Sequence, residues 1–438
     1  MATSLRVTAS AVLRLKRAVN RMPRHRQSWE AGAISAGMST RLLLPVCVLL
    51  LSVTAAGGRV CGQDTTSPPF FDAGRTESTY NGPEREDPEP TDLTEVRIGY
   101  FGPGIAGHPD GGDIWLAVNL ALDEANAEGG YRGLPFHFVQ AWADNPWTNG
   151  AGLVVRMVYV DRVWAIIGGI DGASTHLAET VVAKARVTLI SPGSTDKTVN
   201  LANVPWMFSA LPGDQLLAPA LGRTLMEDIG NGKFVLVVSN AHDAHLFGGE
   251  LQKFLSADGR APAFSYVFGS GSAPDEDFVR RILEVQPAAV VVIADARDSA
   301  GIVYALRGRG FGGKVFGGPS MGRRGFRESL TGSTEGILFP CPSCAQHDAF
   351  GQAFSDRFGF EPDYAARYAY ETTRLLVAAI RRAGLNRARI RDAVREMSPW
   401  KGAAASIEWD GLGRNRLLPA GPAVCTIPVG LPTLRGLQ

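Results

Sequence analysis

The chain predicts an α/β protein built as two parallel-sheet lobes, on three observations. Phe234-Val235-Leu236-Val237-Val238 and Ala288-Ala289-Val290-Val291-Val292-Ile293 are apolar without a break, as strands are when helices cover both faces of a parallel sheet. Strand-like runs alternate with helical patterns, and the alternation restarts after Leu211-Pro212-Gly213, so two α/β units follow one another. Three short apolar runs end in Gly, Ser or Thr. Val96-Arg97-Ile98-Gly99-Tyr100 opens the first unit. Trp164-Ala165-Ile166-Ile167-Gly168-Gly169 runs into Ile170-Asp171-Gly172-Ala173-Ser174-Thr175, and Thr188-Leu189-Ile190-Ser191-Pro192 into Gly193-Ser194-Thr195. In a parallel sheet such turns gather at the carboxyl ends of strands, where open α/β folds bind ligands. Small hydroxyl residues there can hold a ligand without reacting with it.

The elements follow in order from residue 95. Asp113 is placed to cap a helix in which Ile114, Val118, Ala121 and Ala125 recur at helical spacing. It stops at Glu128-Gly129-Gly130, a glycine C-cap. Then come a strand over 134–141, a helix over 149–160, a strand over 163–168, a helix over 174–185 and a strand over 187–190. In the second unit, helices near 246–255 and 277–285 lie between the two apolar strands, and another near 299–307 precedes a strand at Val315-Phe316. Beyond Ile337-Leu338-Phe339 the pattern is helical. Pro362 suits the start of a long helix with Tyr364, Tyr368, Leu375, Leu376 and Ile380 on its apolar side. Short strands are expected from Ala403 onward, and no short-period repeat is present.

At 438 residues there is room for two domains with sizeable cores. The front of the chain stands outside them. Residues 1–41 carry eight basic residues and one acid, and the run from Leu42 to Leu51 is apolar but short for a membrane span. Residues 1–58 therefore read as an N-terminal extension and signal peptide, with Met38 as the expected true start and cleavage after Ala55 or Gly57. A lipid anchor at Cys61 is not expected, because Arg59 spoils the small-residue motif before it. Residues 59–94, rich in Pro, Glu and Asp, read as a disordered linker. Losing residues 1–60 removes nine basic groups and one acid and takes the net charge from +1 to −7, which argues against a nucleic-acid partner. The mature protein is expected in the periplasm or at the cell surface.

The motifs taken together resemble the type I periplasmic solute-binding proteins, in particular the leucine/isoleucine/valine-binding branch that serves ABC importers. Gly102-Pro103, Asn126-Ala127-Glu128-Gly129-Gly130, Ile167-Gly168-Gly169 and Ile190-Ser191-Pro192-Gly193-Ser194-Thr195 carry the likeness. So do Phe316-Gly317-Gly318-Pro319, Glu335-Gly336-Ile337, Phe358-Gly359-Phe360-Glu361-Pro362-Asp363 and Ala369-Tyr370-Glu371. The resemblance spans roughly residues 95–427. It implies two Rossmann-like lobes closing on a small solute, lobe I from 95–212 plus 341–402 and lobe II from 213–340 plus 403–430. Three hinge crossings are implied near 210–214, 338–345 and 401–406. It also implies delivery of the solute to a membrane ABC permease by a non-catalytic, monomeric protein without a cofactor. A periplasmic sensing or scaffolding domain of the same fold is the alternative.

The ligand-binding residues carried over by the resemblance are Asp171, Gly172, Ala173 and Ser174 after the third strand, and Gly193, Ser194 and Thr195 after the fourth. Phe247, Asp295 and Ser320 are those of lobe II. Two departures stand out. The first turn reads Asp171-Gly172-Ala173 before its hydroxyl, and Ser320 stands where relatives often place an acid facing the ligand ammonium. Losing that acid removes a charge-assisted hydrogen bond, so the solute is expected to differ from an ordinary α-amino acid.

Three motifs point to other chemistry and are read as structural. Gly318-Pro319-Ser320-Met321-Gly322 matches a nucleophile elbow, but only His347 follows it as a triad histidine. His242-Asp243-Ala244-His245 offers two imidazoles at a helix start without a fuller ligand set, so no metal is expected. Cys341-Pro342-Ser343-Cys344 lies in the second crossing, and in an exported protein a Cys341–Cys344 disulfide is the expected state.

Overall fold

A computed structural model describes residues 80–272, 276–331, 333–343, 348–417 and 424–426. The signal-peptide, Met38 and Cys61 expectations lie outside the described residues. Two six-stranded sheets organise the rest. The first holds β1 (Val96–Phe101), β2 (Phe136–Ala141), β3 (Ala165–Gly168), β4 (Thr188–Ser191), β5 (Met207–Pro212) and, from far down the chain, β13 (Arg414–Asn415). Its order is β13-β5-β4-β3-β1-β2 and every pairing is parallel. The second holds β6 (Phe234–Ser239), β7 (Phe264–Phe268), β8 (Ala289–Ile293), β9 (Lys314–Gly317), β10 (Ile337–Pro340) and β14 (Val424–Thr426). Its order is β14-β10-β9-β8-β6-β7, parallel except for β14 against β10. A small hairpin pairs β11 (Trp400–Lys401) with β12 (Ser406–Ile407).

Both sheets repeat one winding: the second strand lies outside the first, and the third, fourth and fifth run off the other way. The reversal opens a crevice at the strand ends between β1 and β3, and again between β6 and β8. Helices cover the faces. In lobe I these are α1 (Gly112–Ala127), α2 (Pro146–Tyr159) and α3 (Gly172–Ala185). In lobe II they are α4 (Asp214–Ile229), α5 (His242–Ala257), α6 (Glu276–Glu284), α7 (Ala296–Gly308) and the short α8 (Arg324–Ser329). The chain then returns to lobe I as α9 (Ala349–Phe358), α10 (Tyr364–Ala383) and α11 (Arg387–Glu396). Every residue of β3, β4, β6 and β8 is buried, which accounts for their largely apolar, uncharged sequences. The edge strand β7 alternates between half-buried and exposed positions and escapes the apolar-run signal.

Several sequence expectations change. Residues 80–94 are not a free linker, because they dock on lobe I. Tyr80 is buried with its ring 4.7 Å from that of Trp206, Glu89 accepts a 2.6 Å bond from the Tyr131 hydroxyl, and Arg389 donates to the Arg85 carbonyl. Polar composition hid the anchor because its partners come from remote parts of the chain. The third crossing is also displaced. β13 joins the first sheet, so residues 406–417 belong with lobe I, while Val424–Thr426 form β14 of the second sheet. Asp113 does not cap α1; its carboxylate is spent on Arg324 and on the Asp363 amide.

The expected Cys341–Cys344 bond is a further correction. Cys341 retains its thiol, which donates to the Ser343 carbonyl at 2.8 Å, while Cys425 in β14 is disulfide-bonded. Cys344 lies outside the described residues. The Cys341 side chain turns into the apolar core, and burial pushes its thiol up to about 12. Among the described residues no helix is long and apolar enough to cross a membrane.

Candidate functional site

A cavity of about 280 Å³ lies between the lobes. Asp110 after β1, Ile170, Asp171 and Ala173 after β3, Gly193 and Thr195 after β4, and Tyr364 of α10 form the lobe I wall. Ala241, His242, Asp243, Ala244 and Phe247 after β6, Ile293, Ala294 and Asp295 after β8, and Gly318, Pro319, Ser320 and Arg323 after β9 form the other. Every wall segment except Tyr364 follows the carboxyl end of a parallel strand, where the winding leaves room for a ligand.

On the lobe I side, the hydroxyl groups singled out by sequence are mostly spent within the protein. Asp171 is the N-cap of α3, and its Oδ1 accepts from the Ser174 amide at 2.7 Å and from the Ser174 hydroxyl at 2.5 Å. Ser174 Oγ in turn accepts from the Asp171 amide at 3.4 Å, completing a capping box, and from the Ile170 amide at 3.1 Å. Thr175 Oγ1 donates to the Asp171 carbonyl and meets Ser191 Oγ at 2.9 Å. Ser194 is fully buried, with its Oγ accepting from the Asp196 amide. Thus Asp171, Ala173, Gly193 and Thr195 reach the cavity, whereas Gly172, Ser174 and Ser194 do not line it.

The lobe II residues named from sequence all line the cavity. Phe247 is an apolar wall, buried to 2%. Asp295 caps α7 through a 2.8 Å bond from the Asp298 amide, and its Oδ2 accepts from Ser270 Oγ. Ser320 donates to the Ala294 carbonyl at 2.5 Å. A hydroxyl so engaged is not poised as a nucleophile.

Two sets of contacts tie the lobes across the cleft. At one rim Arg323 and Arg324 of lobe II reach into lobe I. Arg323 Nε donates to Asp363 Oδ2 at 2.8 Å and its Nη2 donates to the Asp110 carbonyl, while Arg324 Nε donates to Asp113 Oδ1 at 2.5 Å. The charges are mutually adjusted. Burial works to raise the Asp363 carboxyl, but Arg323 and the Ala366 amide hold it below the usual carboxylate range. Burial and the Asp363 charge lift Asp113 to about 6, against Arg324.

At the other rim Asp243, the second residue of α5, faces the N-terminus of α3. The Gly172 amide donates to both its oxygens, at 3.0 and 2.9 Å. A Cβ on Gly172 would stand 2.4 Å from Asp243 Oδ1, so glycine is what permits this approach. Asp243 is only partly buried as a residue, yet its carboxylate is enclosed, and burial with the nearby Asp171 charge pushes it up to about 7. Beside it, His242 Nε2 lies 2.8 Å from Asp196 Oδ2, and His176 Nε2 lies 2.9 Å from the same atom. Lys197 pairs with Glu250 on the same rim.

The comparisons with known proteins bear on what such a cleft belongs to. The profile of the periplasmic binding protein family matches residues 95–417. The chain belongs to that family. A relative named as an amino acid binding protein of Pseudomonas aeruginosa is 24% identical over 304 residues, 67% of this chain and 80% of its own length. Leu/Ile/Val-binding protein homolog 2 of Brucella abortus is 22% identical over 338 residues, 75% and 90% of the two chains. Among solved structures, the LivJ substrate-binding protein of Streptococcus pneumoniae, in complex with isoleucine, superposes with a TM-score of 0.67 at 21% identity. It covers 73% of this chain and 93% of its own. At that identity the likeness shows a shared fold.

Within this periplasmic binding protein, sequence reasoning missed Asp110, Ile170, Ala241, Ile293, Arg323 and Tyr364 as wall residues. Asp110 and Arg323 follow strand ends, and that position was the available signal. Tyr364 was visible only as an apolar helix position, because its place in the cleft depends on where α10 lies against lobe I.

Proposed function

We propose that this protein is an exported solute-binding protein that closes its lobes around a small amphipathic solute bearing an amine and presents it to an ABC importer. The composition of the cleft carries the reading. Four carboxylates, Asp110, Asp171, Asp243 and Asp295, border the cavity, while its one arginine, Arg323, is already paired with Asp363. Asp171 engages only Oδ1 in the capping box, leaving Oδ2 to accept from a cationic group, the stronger kind of hydrogen bond. Ile170, Ala173, Phe247 and Ile293 offer an apolar surface to the rest of the solute. The N-terminus of α3 would suit a solute carboxylate, but the protein's own Asp243 takes it. A carboxylate on the solute is therefore not required. Export and an importer partner are supported by family membership.

The test is thermal shift over amines, α-amino acids, amides and carboxylic acids. An amine-bearing solute should raise the melting temperature by mass action, about 2.7 kcal/mol of stabilisation at a hundred times its Kd. Asp171→Asn should weaken that shift at least tenfold in apparent affinity, the scale of one lost charge-assisted contact. A preference for simple carboxylates, undiminished in the variant, would overturn the assignment.

A further inference from the structure

The histidine cluster at the rim has a construction that helix capping does not need. His176 of α3, Asp196 in the turn after β4 and His242 at the first position of α5 bring three ligand atoms within 4.8 Å of one another. Asp196 is aimed: its Oδ1 accepts from the Thr198 amide at 2.7 Å and the Thr198 hydroxyl at 2.6 Å, leaving Oδ2 turned to both rings. The Asp196 side chain has no exposure, His176 has 25% and His242 has 40%, so the cluster opens to solvent on the His242 side. The other ring nitrogen of His176, Nδ1, lies 3.3 Å from Glu179 Oε2. A carboxylate behind a histidine is the usual second layer of a metal site, fixing the ring's tautomer and orientation.

We propose that His176, Asp196 and His242 form a divalent transition-metal site, with zinc as the probe, bridging the two lobes at the rim of the cleft. Two imidazole nitrogens and one carboxylate oxygen suit a borderline ion such as zinc, with further positions open to water. Separations of 2.8 and 2.9 Å from Asp196 Oδ2 to the two imidazole nitrogens would each subtend an angle near 90° at an ion bound about 2.1 Å from both atoms of the pair. A rim movement of about half an ångström opens them to the tetrahedral value. His176 and Asp196 belong to lobe I and His242, itself a cavity-wall residue, to lobe II, so the ion holds the lobes shut at the edge of the cavity. The site itself does not rest on the proposed solute; its effect on closure does rest on the hinge motion, and two readouts separate them.

The experiment uses the tag-free mature protein, stripped with chelator, titrated calorimetrically with zinc at neutral pH and followed by small-angle scattering. One equivalent of zinc should bind. His176→Ala and His242→Ala should each weaken it on the order of 100-fold, and Glu179→Gln about 10- to 100-fold. His245→Ala, which removes an exposed histidine of the same helix that lies outside the cluster, should leave binding unchanged. Zinc should also shrink the radius of gyration of the wild type but not of His242→Ala. Absence of saturable binding, or binding that survives both cluster variants or depends on His245, overturns the site. Binding of the expected pattern with unchanged dimensions supports the site and overturns its role in holding the lobes.

Discussion

Arg323→Ala tests whether the arginine rim is a clasp between lobes. The Arg323 side chain is 5% exposed and its partner Asp363 1%, with a 2.8 Å bond between them. The guanidinium also lies 5.5 Å from the Tyr364 ring centre and donates to the Asp110 carbonyl. Asp363 cannot swing away cheaply, because its Oδ1 caps α10 through the Ala366 amide at 3.0 Å. With the lobes shut, truncation strands a buried carboxylate, a loss of about 3–5 kcal/mol. Opening the cleft readmits water to Asp363 and removes most of that penalty. The variant should therefore shift toward the open state by a factor of more than about 100, at 1.36 kcal/mol per tenfold, enough to invert a closed preference of about 1–2 kcal/mol. Small-angle scattering should show a larger radius of gyration, and urea unfolding should lose well under 3 kcal/mol. Asp363→Asn in the same chain should restore much of the closed population. A wild-type radius combined with a 3–5 kcal/mol loss of unfolding stability would mean that Arg323 holds the fold itself together, and the clasp reasoning would be refuted.

Gly172→Ala places a methyl 2.4 Å from Asp243 Oδ1 and 2.8 Å from Asp196 Oδ2, so it should break the amide–carboxylate contact and lower solute affinity with little change in the melting temperature of the solute-free protein; undiminished affinity would show that this contact is dispensable. Asp113, raised to about 6 from its usual 3.8, binds its proton more tightly folded than unfolded. Its contribution is thus fully present below about pH 3.8 and lost as pH rises through about 6. Asp113→Asn should then exceed the wild type in urea midpoint at pH 7.5, with the gap closing toward pH 4. A variant weaker at every pH would mean that the charge is needed for Arg324. The Cys341 thiol, buried and raised to about 12, should resist alkylation in the native protein at pH 8 and react once it is unfolded; peptide mapping that finds Cys341 in a disulfide would overturn this.

The local runs were legible because burial on both faces of a parallel sheet demands unbroken apolar sequence, as in β6 and β8. β5 and β7 were missed for opposite reasons. Met207–Pro212 ends in a proline–glycine signal that reads as a turn, and Phe264–Phe268 is an edge strand with alternating burial. In the cleft, position was legible and role was not. A strand-end Asp, Ser or Thr is a wall candidate whichever way it points, but Ser174 and Ser194 turn inward to satisfy backbone amides, and no local pattern records that choice.

The sequence by itself determined two α/β units and the three strand-end turns of lobe I, because these follow from periodicity and from where parallel strands end; Asp171, Thr195, Phe247, Asp295 and Ser320, which line the cavity, were reached through the family resemblance. The tertiary structure decided what depends on two distant segments meeting. It set Asp243 against the Gly172 amide, Arg323 against Asp363, and His242 beside Asp196 and His176. It also drew residues 80–94 onto lobe I and β13 into its sheet. Each of these is a long-range electrostatic or hydrogen-bond pairing, whose strength is fixed by the burial of both partners and is invisible in either segment alone.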